Sequence, residues 1–460
     1  MKKSLLEKLF SVPAEMLEKG VELGDELKHD IAKKIADEKP IKAAVDYWKN
    51  LGPGLTTGAA DDDPSGIATY SQMGASQGFG LIWLALFSFP LMGVVQEMCA
   101  RIGLTTGVGL AANIRKHYSK KILYICTTLL LFANVFNIGA DLGAMAKGTQ
   151  LIFPNFSFTF LIFIFAIVSL FLQIFISYKK YAKYLKYLTF VLFAYVISAF
   201  SVKINWMEVL RNTIIPGFHF SKEVVILICA ALGTTISPYL FFWQSSQEVE
   251  EEILKGEKTV EMRRAKNTEQ DMKKMRVDVW SGMFVSNLIM FFIIAACAAT
   301  LFANGITDIK TASDAAVALR PFAGNFAFML FALGILGTGL LAIPVLAGSA
   351  SYAISESLGW KTGLYRKLKK ATSFYGVIII AMTLGIILNF IGIDPIKALI
   401  YSAVLNGVIS PFMLFFIVRL SGDGEIMANF KNKKASNIIG WLTFVLLSLV
   451  GIGAIISIFI

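Results

Sequence analysis

Charged residues are scarce in this chain. Asp, Glu, Lys and Arg make up 16% of its 460 residues, whereas soluble globular proteins contain about 25%. Hydrophobic residues make up 56%, the mean hydropathy is +0.64, and long apolar runs recur as far as the C-terminus. This composition excludes an ordinary soluble domain and indicates an all-α polytopic protein of the lipid bilayer.

Cysteine and histidine are also rare. The cysteines lie in apolar segments without paired spacing, which excludes a disulfide framework and a cysteine metal cluster; they are Cys99, Cys126, Cys229 and Cys297. The three histidines fall outside the predicted membrane core, so no histidine relay is available there. No nucleophile–base set or nucleotide loop is present, so we expect neither an enzyme nor a resident cofactor. The net charge of +11 lies in short loops, which topology explains better than nucleic-acid binding does.

Eleven apolar segments are long enough to cross a membrane, and a polar extension precedes them. Residues 1–50 are predicted to be a cytosolic extension and 51–460 a transmembrane domain. The predicted segments are 52–75, 81–104, 122–146, 156–177, 184–202, 223–248, 279–303, 325–354, 372–392, 395–418 and 437–459.

Lys and Arg cluster in alternate loops, after the second, fourth, sixth, eighth and tenth segments. The positive-inside rule then places the N-terminus in the cytoplasm and the C-terminus outside, in the cytoplasmic (inner) membrane. Nothing in the sequence specifies an oligomeric state.

The first segment contains three consecutive acids, Asp61, Asp62 and Asp63, followed at once by Pro64. Three Asp residues facing lipid would cost on the order of 8–10 kcal/mol, and Pro64 opposes a continuous helix. A break at membrane depth is tolerated only inside protein or beside a wet cavity. The segment therefore predicts two half-helices around a cation site. The alternative is a soluble loop whose acids cap a helix that begins at Pro64.

The sixth segment has a similar interruption, Gly233-Thr-Thr-Ile-Ser-Pro-Tyr239, with Pro238 at mid-membrane. Interruptions in segments one and six, five helices apart, are typical of two inverted five-helix repeats whose broken helices meet at the substrate site. The alternative for Pro238 is a simple kink.

Collinear motifs carry a family resemblance from Gly52 to the end of the chain. They are Gly52-Pro53-Gly54 with Asp63-Pro64, Gln96 with Gly103 to Gly107, Asp141-Leu142, Asn287, Ser410-Pro411-Phe412 and Met427 to Lys434. With these motifs the chain resembles the natural resistance-associated macrophage protein (Nramp) family of divalent metal transporters. The resemblance implies eleven transmembrane helices, two inverted repeats of the LeuT type with helices 1 and 6 broken, and manganese or iron import by alternating access.

The resemblance also implies a metal site and shows where this chain departs from it. Asp63 and the Ala60 carbonyl match family ligands, and we expect Asp62 as a neighbour, with the Thr234 carbonyl and the Ser237 hydroxyl completing the shell. Gly66 replaces the family's Asn, and Ser237 replaces its Met.

The family's proton route is represented by Asp141, with Asp61 as a substitute candidate. Its flanking acids are replaced by Asn134 and Ala144, and the sixth-helix His by Tyr239. We therefore expect weak proton coupling.

A site made only of oxygen donors favours hard ions such as Mg²⁺, since thioethers select softer metals. Magnesium transport and manganese or iron transport both remain open at this stage. A sodium-coupled symporter of an organic substrate is a further alternative.

Other polar residues carry weaker expectations. Glu97 and Lys147 either pair within the bundle or, as we expect, lie near helix ends. The acidic run from Glu248 to Glu252 is expected to be a solvated helix end.

Overall fold

The computed structural model describes residues 47–48, 51–217, 221–309, 312–392 and 395–459. The chain divides into two units, Met1–Leu51 and Gly52–Ile460. The extension predicted at residues 1–50 lies almost entirely outside the described residues, and the second unit contains everything discussed below.

The described part of the second unit is helical, without strands. We number its helices in chain order; α14 is interrupted at Gly324, whose φ is 80°. The helices are α1 Pro53–Asp61, α2 Pro64–Gln77, α3 Trp83–Thr106, α4 Leu110–His117, α5 Lys120–Ile152, α6 Phe158–Phe175, α7 Tyr178–Leu188, α8 Phe193–Phe200, α9 Trp206–Ile214, α10 Lys222–Thr235, α11 Pro238–Leu254, α12 Val260–Lys266, α13 Glu269–Thr300, α14 Ala312–Leu358, α15 Thr372–Leu388, α16 Pro395–Gly422, α17 Gly424–Met427 and α18 Lys434–Phe459.

Nine helical stretches within the described ranges are long and apolar enough to cross a membrane. The short apolar helix α15 and the interrupted pair α1–α2 occupy two more of the predicted segments. The first break is therefore a junction of two short helices, neither of which spans a bilayer alone.

Helix α6 shows how the molecule meets lipid. Phe160, Phe163, Ile167 and Phe171 recur at three- and four-residue spacing and are 45–62% exposed. A soluble protein rarely leaves such a continuous apolar stripe uncovered. Because the stripe belongs to an 18-residue helix of high hydropathy, its surface fits the hydrocarbon of a bilayer.

Helix α13 is the main support of the first break, since it packs along both α1 and α2 as well as α3. Helix α16 packs along α10, α5 and α2, and α14 packs along α5. These contacts enclose the two helix junctions with other helices, which is where irregular backbone is tolerated at membrane depth.

Candidate functional site

The first junction lies between Asp61, the last residue of α1, and Pro64, the first residue of α2. Asp63 is the N-cap of α2: its Oδ1 accepts hydrogen bonds from the Gly66 backbone N–H at 2.7 Å and the Ser65 hydroxyl at 2.6 Å. Asp and a following Pro are favoured in these positions. Asp63 therefore caps the helix that begins at Pro64, as in the soluble-loop alternative. It is only 1% exposed, however, so it does not lie in a solvated loop.

The other carboxylate oxygen of Asp63 faces α5. Its Oδ2 accepts a 2.6 Å hydrogen bond from the side-chain amide of Asn137. The carbonyl oxygen of that amide accepts a 2.6 Å bond from the Ser402 hydroxyl on α16. The position of the Asp63 carboxylate is therefore set jointly by α2, α5 and α16.

Asp61 and Asp62 face another helix. Oδ2 of Asp61 accepts a 2.6 Å hydrogen bond from the Ser286 hydroxyl on α13, and Oδ1 of Asp62 lies 3.5 Å from the same hydroxyl. Both acids are fully buried. Oδ1 of Asp61 and Oδ2 of Asp62 have no hydrogen-bond partner among the described residues, so each retains an oxygen able to bind a cation.

The second junction lies between Thr235, which ends α10, and Pro238, which begins α11. The Ser237 hydroxyl donates to the carbonyls of Gly233 at 2.6 Å and Thr234 at 2.7 Å, which are among the last carbonyls of α10 that lack a helical partner. The hydroxyl hydrogen is thus used within the protein, while the oxygen lone pairs of Ser237 remain available.

The two junctions contact each other. The Tyr239 hydroxyl donates a 2.9 Å hydrogen bond to the Ala60 carbonyl. A methyl group placed on Gly66 would lie 3.1 Å from Oγ1 of Thr234, so these two residues are closely packed. The residues that the sequence assigned to the two broken segments therefore form one region inside the bundle.

Asp141 on α5 is fully buried, and neither of its carboxylate oxygens has a hydrogen-bond partner in the described part of the chain. The residues on either side differ in role. The Asn134 amide donates to the Leu346 carbonyl at 2.9 Å, and Ala144 is a buried methyl group. Neither Asn134 nor Ala144 can carry a proton from Asp141 to another titratable group.

Among the described residues, the region around the two helix junctions holds no Lys or Arg side chain paired with the Asp cluster and no cluster of soft metal ligands such as Cys or His. Two ion pairs join Glu97 to Arg101 and to Arg276, and no residue of the Asp cluster takes part in them. No three His, Cys, Asp or Glu side chains in the described ranges converge as a metal-ligand group. A bound ion would need carbonyl, hydroxyl and water oxygens in addition to carboxylates, which is a hard-ion environment.

Sequence reasoning missed Asn137, Ser286 and Ser402. The signal for Asn137 was present: Asn134, Asn137 and Asp141 recur at three- and four-residue spacing, so they share one face of an apolar helix. The two serines carry no comparable local signal, because their partners are more than 220 residues away in the chain.

Interrupted helices that meet inside an apolar bundle, with buried acids at the junction, are the architecture of a membrane transporter. Residues 54–457 match the family model described as natural resistance-associated macrophage protein-like. The chain therefore belongs to the Nramp family, which confirms the resemblance found in its motifs.

Two curated relatives are named as divalent metal cation transporters MntH. The protein of Clostridium acetobutylicum is 27% identical over 418 residues, covering 88% of this chain and 90% of the relative. The protein of Bacillus subtilis is 25% identical over 423 residues, covering 89% and 92%.

Solved structures share the fold. The Eremococcus coleocola manganese transporter, in complex with an aromatic bis-isothiourea compound, has a TM-score of 0.69 at 20% identity and covers 90% of this chain and 87% of its own. Mhp1, a nucleobase-cation-symport-1 family transporter in a closed conformation, has a TM-score of 0.53 at 13% identity, with coverage of 88% and 91%. At these identities the likeness concerns architecture alone.

Proposed function

We propose that this protein is a secondary transporter that imports divalent metal cations into the cytoplasm by alternating access. The observation that carries the proposal is the contact between the two helix junctions, where Tyr239 bonds to Ala60 beside the buried Asp63. Membership of the family and the names of the relatives support transport rather than catalysis. The ion is the substrate, and no resident cofactor is required.

The proposed topology has eleven transmembrane helices in two inverted repeats, with the broken helices α1–α2 and α10–α11 as the first and sixth. The nine long apolar stretches, together with α1–α2 and α15, support this count. The basic loops support a cytoplasmic N-terminus, an external C-terminus and insertion in the cytoplasmic membrane.

The proposed ion shell is made of oxygen. Asp63 is its central carboxylate and Asp62 a neighbouring one, with the Ala60 and Thr234 carbonyls and the Ser237 hydroxyl as further donors. Gly66 contributes no side chain, which leaves room for retained water. Because Mg²⁺ keeps part of its hydration shell and takes one or two carboxylates, this shell accepts Mg²⁺ as well as Mn²⁺ or Fe²⁺.

The competing proposal is a sodium-coupled symporter of an organic substrate, with the Asp cluster holding Na⁺. The Mhp1 likeness supports such an architecture but extends to the fold only. The match to the metal transporters covers residues 54–457 in the family model and 88% of this chain in the Clostridium acetobutylicum relative, which favours a metal ion.

The test is uptake of Mn²⁺, Mg²⁺ and Ca²⁺ by the purified protein in proteoliposomes, with and without a proton gradient. We expect uptake of Mn²⁺ and Mg²⁺ that is lost in Asp63→Ala. Sodium-dependent uptake of an organic solute, with no flux of any divalent ion, would overturn the proposal in favour of the symporter.

A further inference from the structure

The first half-helix receives its N-terminal cap from another helix. Oδ1 of Asp278, on α13, accepts hydrogen bonds from the backbone N–H groups of Gly52 at 2.7 Å and Leu55 at 3.1 Å, and Oδ2 accepts one from Gly54 at 2.7 Å. The first N–H groups of a helix lack intrahelical partners, and Gly52 has no side chain to cap them. Asp278 is 3% exposed, and its charge faces this helix end and the nearby Lys186 of α7.

The middle of α1 packs on α13 through glycines. A methyl group on Gly54 would lie 2.5 Å from the Val279 backbone nitrogen, and one on Gly58 would lie 2.2 Å from the Gly282 carbonyl oxygen. The two backbones therefore touch at these points without side chains between them, as in small-residue helix contacts in membranes.

Polar bonds hold the two ends of α1 to α13. Asp278 binds its first turn, and Ser286 binds Asp61 in its last turn. The hydroxyls of Thr56 and Thr57 turn back to the Pro53 carbonyl at 2.9 and 2.7 Å. The glycine contacts between α1 and α13 contain no interlocked side chains that would resist their separation.

We propose that Asp278 is a positioning residue for transport, which holds α1 against α13 and closes the route from the Asp63 site to the basic-loop face. Helix α1 runs from Pro53 to Asp61, which lies two residues before Asp63, and it also contacts α11 and α14. Release of its N-terminus from Asp278 opens this route, whereas the Ser286 end stays beside the ion site. The inference rests on the proposed transport activity but is independent of which ion is carried.

The test measures access to α1 from each side of the membrane. Ala59, 1% exposed, is replaced by Cys as a reporter. A membrane-impermeant methanethiosulfonate is applied to vesicles of either orientation, and the protein without the reporter gives the background from the four native cysteines, all buried. In Asp278→Ala we expect labelling from the basic-loop face to be roughly tenfold faster, because the closed population falls when its capping bonds are removed. Labelling from the opposite face should not accelerate.

Asp271→Ala is the matched control, since Asp271 lies two turns earlier on α13 and, among the described residues, its hydrogen bonds are with Thr268 at the start of its own helix. Gly54→Ala is the second variant: its methyl group displaces α1 without changing charge, so labelling should also accelerate, which keeps the test decisive if Asp278→Ala fails to fold.

The inference would be overturned if the reporter in folded Asp278→Ala and Gly54→Ala were labelled no faster than in Asp271→Ala, even if uptake by these variants falls. Mn²⁺ binding by titration calorimetry is measured in parallel and should be retained in Asp278→Ala. Absence of both Mn²⁺ and Mg²⁺ binding and uptake in the wild type would instead count against the proposed function, while the labelling rates would still report whether Asp278 holds α1 against α13.

Discussion

The side-chain amide of Asn137 donates a 2.6 Å hydrogen bond to Oδ2 of Asp63. Since Oδ1 is occupied by the N-terminal turn of α2, both oxygens of this carboxylate have fixed partners, and the carboxylate is oriented before any ion arrives. Such preorganisation by a supporting residue is a general requirement of metal sites.

Asn137→Ala should lower metal uptake by about tenfold, mainly through a higher KM, because loss of a residue that orients a ligand typically costs 10–100-fold in metal affinity. Ser402 would lose its acceptor as well. The control is Asn134→Ala, one turn earlier on α5, since Asn134 bonds to the Leu346 carbonyl instead of Asp63. The measurement is Mn²⁺ uptake at varied concentration; equal KM values for the two variants would contradict the assigned role.

Asp63 both caps α2 and is the proposed ligand, and two substitutions separate these roles. Asp63→Asn keeps a good N-cap, whereas Asp63→Ala removes it at a cost of about 1 kcal/mol in stability. Both variants should lose uptake, because both lose the charge, but only Asp63→Ala should melt at a lower temperature. Uptake that survives in Asp63→Asn would show that the residue acts as a cap alone.

Ser237→Met should shift selectivity from Mg²⁺ toward Mn²⁺ and Cd²⁺, since a thioether favours softer ions. Ser237→Ala is the control: it removes the bonds to the carbonyls of Gly233 and Thr234 without supplying sulfur. Competition of Mg²⁺ and Cd²⁺ against Mn²⁺ uptake is the measurement. The hard-ion assignment fails if Mg²⁺ does not compete in the wild type and the pattern is unchanged in Ser237→Met.

Metal uptake should be weakly coupled or uncoupled to protons. Proton relays in membranes use Asp, Glu or His, but the positions beside Asp141 hold Asn134 and Ala144, and the Tyr239 hydroxyl is bonded to the Ala60 carbonyl. The measurement is internal acidification of proteoliposomes during metal uptake, followed with a pH-sensitive dye. Robust metal-dependent acidification that disappears in Asp141→Asn would show that one acid suffices.

Local chemistry explains which parts of the site were predictable. Proline removes a donor and restricts the preceding residue, so Pro64 and Pro238 mark the helix starts from sequence alone. The contacts of Ser286 and Ser402 depend instead on which helices become neighbours, and one sequence does not contain that information.

Two expectations about charged residues also depended on which parts of the chain become neighbours, which one sequence does not show. Glu97 accepts hydrogen bonds from Arg276 and Trp280, while Lys147 lies over the Phe158 ring. The expectation of a solvated end at Glu248 to Glu252 was wrong for Glu248, Glu250 and Glu252, which are buried. The Glu250 carboxylate accepts hydrogen bonds from the backbone N–H groups of Leu364 and Tyr365. The loop that contains these two residues, more than 100 positions away in the chain, therefore covers it.

The close packing of Gly66 against Thr234 limits the size of the side chains that these two positions can hold together. By the family resemblance Gly66 stands where the family has Asn, so the first junction lacks a side chain at this position. The Cβ of Asn at position 66 would lie 3.1 Å from Oγ1 of Thr234, so the Thr234 side chain would have to shift by a few tenths of an ångström. The two positions are therefore coupled, and Asn at position 66 should be tolerated better when Thr234 is replaced by a smaller residue than when it is kept.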